Sequence, residues 1–170
     1  SLRDDVLWWD GSEFTAQDVV WNFQRLTALS EQRIASHAEM WLQEDGTPLL
    51  TNIEAVKKYE VKMTFSISVP YWETLLAFWG ASLIKPMKNL FGTISVADIR
   101  TINGTGPFQY IGMDFDDHVV LLERHEVYYR GMADIAKINI KIFQDPEDVD
   151  RALSEKDLHF GVVSQIDNFD

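Results

Sequence analysis

The sequence predicts a mixed α+β fold. Three patterns carry that prediction. Val19, Val20, Phe23, Leu26 and Leu29 recur at helical spacing. Val61, Met63, Phe65 and Ile67 alternate with Lys62, Thr64, Ser66 and Ser68, as in a half-buried strand. Beyond Gly104 the chain becomes a series of short strand-like segments divided by turns.

Taken in order, Trp8-Trp9-Asp10-Gly11 reads as a strand and a turn, with Asp-Gly supplying the positive-φ position. Thr15-Ala16-Gln17-Asp18 is a capping box with Asp in place of Glu, and it opens the first helix. A second helical pattern covers Glu31 to Gln43 and ends at Asp45-Gly46-Thr47-Pro48. The alternating strand runs from Tyr59 to Val69 and is closed by Pro70. Tyr71 to Trp79 predicts a short aromatic helix. Leu83 to Pro86 is extended, because a residue before proline avoids the helical region. Ser95 to Asp98 opens another short helix. Strands follow at Phe108 to Met113, His118 to Glu123 and Lys137 to Phe143, with Asp114 to Asp117 as a hairpin loop. Asp145-Pro146-Glu147 starts a helix with Pro near its first position and acid in its first turn. His159 to Val163 is a final strand. The sub-domain boundary falls at Thr101 to Gly106.

The chain has 170 residues, 46% hydrophobic and 12% aromatic, enough to bury a real core. Its formal net charge of -12 argues against nucleic acid, whose phosphates need clustered Lys and Arg, and against anionic lipid. There is no cysteine, which excludes disulfides, thiolate zinc sites and thiol catalysis. No apolar run approaches the roughly 18 residues of a membrane span. Ser1-Leu2-Arg3 reads as the inside of a strand, and Asn168-Phe169-Asp170 carries no stop signal. The chain therefore reads as a piece of a longer one, without a signal peptide of its own.

Few motifs point to chemistry. Gly104-Thr105-Gly106-Pro107 exposes backbone amides, but no Lys-Ser/Thr follows, so it reads as a tight crossover rather than a phosphate loop. Asp114, Asp116 and Asp117 fail the calcium-loop pattern, because Val119 and His125 stand where Gly and Glu are needed. His37, His118, His125 and His159 form no metal-ligand pair at helical spacing, so no metal and no cofactor are expected. No nucleophile elbow or catalytic carboxylate pattern occurs, which argues against an enzyme. A carboxylate-based hydrolase is the alternative of another class. The best ligand surface is the aromatic segment with Tyr71, Phe78 and Trp79, where Gly80 allows close backbone approach. Arg124 shares a strand face with Val120 and Leu122. There it needs a carboxylate partner, from the protein or from a ligand.

Several anchors together resemble one family. They are Leu2-Arg3 with the Asp10-Gly11 turn, Phe14-Thr15-Ala16-Gln17-Asp18-Val19-Val20, and Val69-Pro70-Tyr71. Gly104-Thr105-Gly106-Pro107-Phe108, Leu122-Glu123-Arg124-His125 through Tyr128-Tyr129, and Ile138 to Ile142 with Asp145-Pro146 complete the set. In order and spacing they resemble the family 5 extracellular solute-binding proteins, the oligopeptide, dipeptide and nickel receptors of ABC importers. Tyr129 stands where the family usually has Trp, His125 where Asn is common, and Leu158-His159-Phe160 where an Ile-Asp pair is usual.

The resemblance implies part of a two-lobed, periplasmic-binding-protein type II-like fold. Residues 1–103 would form an accessory α+β sub-domain and 104–170 part of the main mixed sheet, with the opposite lobe absent. It implies a non-enzymatic receptor, periplasmic or extracellular and tethered by a lipid anchor outside this chain. Its partners would be an oligopeptide or small chelate and the subunits of an ABC permease. Nickel-type members are expected to carry an Arg in the segment aligning with Phe78 to Ser82. Trp79 stands there instead, which points to peptide, with a nickel or other metal chelate as the alternative. An intracellular sensor fused to a DNA-binding domain is a further reading.

Overall fold

The computed structural model describes residues 1–31, 38–78, 81–87 and 101–162. They fall into two compact units. The first holds Ser1–Gln109 and Arg124–Ala136, the second Tyr110–Glu123 and Lys137–Asp170.

In the first unit, helix α1 spans Ala16–Glu31. Its start is closed by Asp18, whose carboxylate accepts from the Thr15 backbone N–H at 2.7 Å and from the Thr15 hydroxyl at 3.1 Å. That is the returning half of the expected capping box. Val19, Val20, Phe23 and Leu29 of the predicted stripe are buried. Strands β1 (Leu50–Lys57) and β2 (Glu60–Phe65) pair antiparallel, with Ile53 opposite Met63 and Ala55 opposite Val61. Helix α2 is short, Trp72–Ala77. Trp8, 1% exposed, anchors the core with its ring edge-on to Phe14 at 5.3 Å, and Phe23 meets Trp41 likewise at 5.5 Å.

Strands β3 (Phe108–Asp114), β4 (Val119–Arg124) and β5 (Lys137–Lys141) form a sheet in that order, and all of it but Phe108, Gln109 and Arg124 belongs to the second unit. β4 and β5 are antiparallel, with Leu122 opposite Ile138 and Val120 opposite Ile140. Asp114 shapes the β3–β4 turn by accepting from the Asp116 and Asp117 amides at 3.0 and 3.1 Å. Helix α3 (Pro146–Ser154) has Pro at its start and buries Val149 and Ala152.

Several expectations need correction. Residues 1–3 form no strand, although Leu2 N–H donates to Tyr59 O at 2.7 Å. Near Trp8 the pairing is a single bridge, Leu7 with Glu13. Where the helix over Glu31 to Gln43 was expected, Ala38–Trp41 is a 3-10 turn, because Leu42 leaves it to pair with Pro48. The rest of that helix, at 32–37, and the helix at Ser95 to Asp98 lie outside the described residues. β1 was not expected. The described part of the final strand, 159–162, is not a strand: Asp157 and Leu158 fold back to bond Ala152 O, at 2.9 and 3.3 Å.

Candidate functional site

The early turn of the chain and the Gly104 turn lock together within the first unit. Trp9 N–H donates to Asn103 Oδ1 at 2.8 Å and to Gly104 O at 3.0 Å, while its indole Nε1–H donates to Gly106 O at 3.0 Å. The Gly104-Thr105-Gly106 backbone therefore receives a Trp side chain, and Gly104 leaves room for its ring. Beside it, Asp10 accepts from Ser12 and from the Lys85 ammonium. The Lys85 ammonium, helped by Ser12, holds the Asp10 carboxyl down at about 2.

The first unit holds an apolar cavity of about 640 Å³, within the usual range of ligand pockets. Five pieces of the chain line it, Ser1 and Leu2 being the first. α1 contributes Val19 and Phe23, and β2 the alternate positions Val61, Met63 and Phe65. α2 contributes Trp72 and Leu76, one helical turn apart, and Ala81 and Leu83 close the side. Among the described residues its lining has no acidic or basic side chain. It can take apolar groups and offers little to hold a charge.

The expected site residues fall around this cavity unevenly. Tyr71 is 52% exposed, precedes α2 and does not line the cavity. Its neighbour Trp72, 44% exposed, does. Phe78 ends α2 in an extended conformation, half-buried, and its carbonyl accepts from Ala81 N–H at 2.9 Å. Trp79 and Gly80 lie outside the described residues. Arg124 closes β4 through its N–H to Ala136 O at 3.0 Å. Its guanidinium meets Glu126 Oε1 at 3.4 Å, the protein carboxylate that its apolar face called for. The structure thus brings Trp72, β2 and α1 together, and places Arg124 on a pair of its own.

His125, where Asn is common in the resembling family, is 5% exposed, and neither ring nitrogen has a hydrogen-bond partner among the described residues. Its backbone is tied down on both sides. His125 N–H donates to Pro107 O at 2.8 Å, and its carbonyl accepts from Tyr128 N–H at 3.2 Å. Among the described residues no group of three or more His, Cys, Asp or Glu is placed to hold a metal, and no helix is long and apolar enough to cross a membrane.

Comparison with known proteins adds the following. The family described as bacterial extracellular solute-binding proteins, family 5 Middle, matches residues 1–169. Among solved structures, the solute-binding protein MoaA of A. tumefacien R10, in complex with mannopinic acid, is 28% identical with a TM-score of 0.74. The ABC transporter substrate-binding protein CtaP of Listeria monocytogenes is 25% identical with a TM-score of 0.69. NikZ of Campylobacter jejuni, in complex with Ni(L-His), is 22% identical with a TM-score of 0.70, a likeness of fold. Each match covers 92% of this chain and about 30% of the other. No curated protein matches. The mixed α+β fold is therefore part of a periplasmic-binding-protein type II architecture.

Proposed function

This chain belongs to the bacterial extracellular solute-binding proteins of family 5, and from that premise we propose that it serves a receptor that captures short peptides outside the membrane for an ABC importer. The observation that carries the reading is the family match across residues 1–169. The protein would be periplasmic or extracellular and held at the cell surface by a lipid anchor outside these residues. Ligand capture would follow the general scheme of such receptors, in which a ligand stabilises the closed state by its differential affinity and delivers it to a permease.

Peptide as cargo is supported by the cavity. Its apolar lining and the exposed Trp72 suit apolar side chains of a peptide whose backbone is bound by main-chain hydrogen bonds. Mannopinic acid and nickel complexes, the ligands of MoaA and NikZ, are polar or charged and call for paired charges or metal ligands. The residues 1–103 would be the accessory sub-domain carrying this cavity, and 104–170 part of the main sheet. Tyr71, Phe78, Trp79 and Gly80 would border the peptide. Arg124 would take part only if a ligand carboxylate displaced Glu126.

Calorimetric titration of the full-length protein carrying this chain tests the cargo. The probes are a set of tripeptides and pentapeptides, nickel with L-histidine, and mannopinic acid. Saturable binding of peptides, tighter with a larger apolar side chain, is expected. Binding of nickel-histidine or mannopinic acid with none of the peptides overturns the reading.

A further inference from the structure

We propose that Asn22 is a positioning residue for the apolar cavity, fixing the wall made by Ala81 and Leu83 and thereby the cavity's preference among apolar side chains. The inference rests on the reading of that cavity as a peptide site.

Asn22 sits on α1 between Val19 and Phe23, which form the cavity's floor. It is a polar residue only 7% exposed, and its amide is fully engaged. Nδ2 donates to Asp18 O at 2.8 Å and to Ile84 O at 2.7 Å, while Oδ1 accepts from Ile84 N–H at 3.0 Å. One side chain thus satisfies both backbone groups of Ile84, as the neighbouring strand of a sheet would. Segment 81–87 needs this, because it belongs to no strand of the structure. Its other backbone bonds lie to either side of Ile84, Ala81 N–H on Phe78 O at 2.9 Å and Lys85 N–H on Asn103 O at 2.8 Å, while the Lys85 ammonium holds Asp10 and Ser12. Asparagine is a mediocre helix former, so helix propensity does not explain its presence at mid-helix. A buried amide that pairs a strand-less backbone does.

The consequence is a wall set by hydrogen bonds instead of by packing alone. Leu83 and Ala81 face the cavity from the clamped segment. Removing the amide leaves the Ile84 N–H and C=O unpaired, and the segment must shift to regain partners. The cavity then changes width, and discrimination between side chains of different size is lost.

The test uses the full-length protein and two peptides that differ only in one side chain, Ala against Phe. The unsubstituted protein is expected to prefer the Phe peptide, and Asn22→Ala to reduce that preference by about tenfold. Asn22→Asp keeps the acceptor but loses both donors. It is expected to do the same, and it serves where Asn22→Ala does not fold. Val149→Ala removes core volume on α3, in the second unit, and is expected to lower Tm with the preference intact. An unchanged preference in folded Asn22→Ala or Asn22→Asp overturns the inference while the peptide reading stands. Failure of the unsubstituted protein to bind either peptide overturns the peptide reading, and this inference with it.

Discussion

Trp9 lies against Gly104 so closely that a Cβ at position 104 would stand 2.9 Å from Trp9 Cζ2 and 3.0 Å from Cη2. The neighbour is a rigid indole held by its Nε1–H on Gly106 O, so it cannot swing aside without losing that bond. The glycine is there for space.

Gly104→Ala should therefore destabilise the protein by about 1–3 kcal/mol, the usual cost of overpacking. Trp9→Phe shrinks the ring and removes the Gly106 hydrogen bond, so it costs stability by itself. In the double variant part of the Gly104→Ala penalty should vanish, because the clashing atoms are gone. Urea unfolding of the two single variants and the double variant reads this directly. Strict additivity would show that the contact is not the reason for the glycine.

The Asp10–Lys85 pair predicts a particular response to acid. The folded carboxyl titrates at about 2 against an ordinary 3.8. A depressed carboxylate contributes stability above its unfolded value and loses it as pH falls through its folded value. Thermal melts of the unsubstituted protein and of Lys85→Met should differ most above pH 3.8, with the gap closing toward about 2. The gap should be small, since the two side chains are 33% and 44% exposed and water screens them. A gap that stays constant across that window would remove the pair as its cause.

His125 gives a prediction of opposite sign. A buried imidazole with no partner among the described residues adds desolvation cost and no hydrogen bond. His125→Leu should leave stability unchanged to within about 1 kcal/mol, or raise it. A loss of several kcal/mol in chemical denaturation would mean that the ring nitrogens are satisfied in solution.

The legible parts of this fold were those where one element decides its own pattern. α1 shows its buried stripe, and β2 shows its alternation through Val61, Met63 and Phe65. β1 was hidden because its register is irregular between Leu50 and Asn52. Leu50 and Ile53, its buried positions, therefore stand three apart and break the period of two. In the described part of the expected last strand the chain folds back on α3, with Asp157 and Leu158 on Ala152 O and Gly161 so close that an added Cβ would meet Val149 Cγ1 at 2.8 Å. The same limit applies to the site. The aromatic segment was visible, but Tyr71 precedes the helix, and only the helical phase of Trp72 and Leu76 shows which ring reaches the cavity. Nothing in the sequence of β2 tells whether its apolar face is covered or left open. Nor does the spacing of Asn22 announce a partner at Ile84, sixty-two positions on.

The cavity can be tested by filling it. Val61 lies on its β2 wall, opposite Ala55 in the sheet. Val61→Trp should leave the protein folded and weaken peptide binding by about tenfold or more, read by calorimetry. Undiminished affinity in the folded variant would place the peptide elsewhere.

The central claim is that the cargo is peptide, and native mass spectrometry of the full-length protein, purified gently from its own host, tests it most directly. The account predicts a ladder of bound masses that match short peptides. One small adduct with a metal isotope signature, or one of the mass of mannopinic acid, would contradict it.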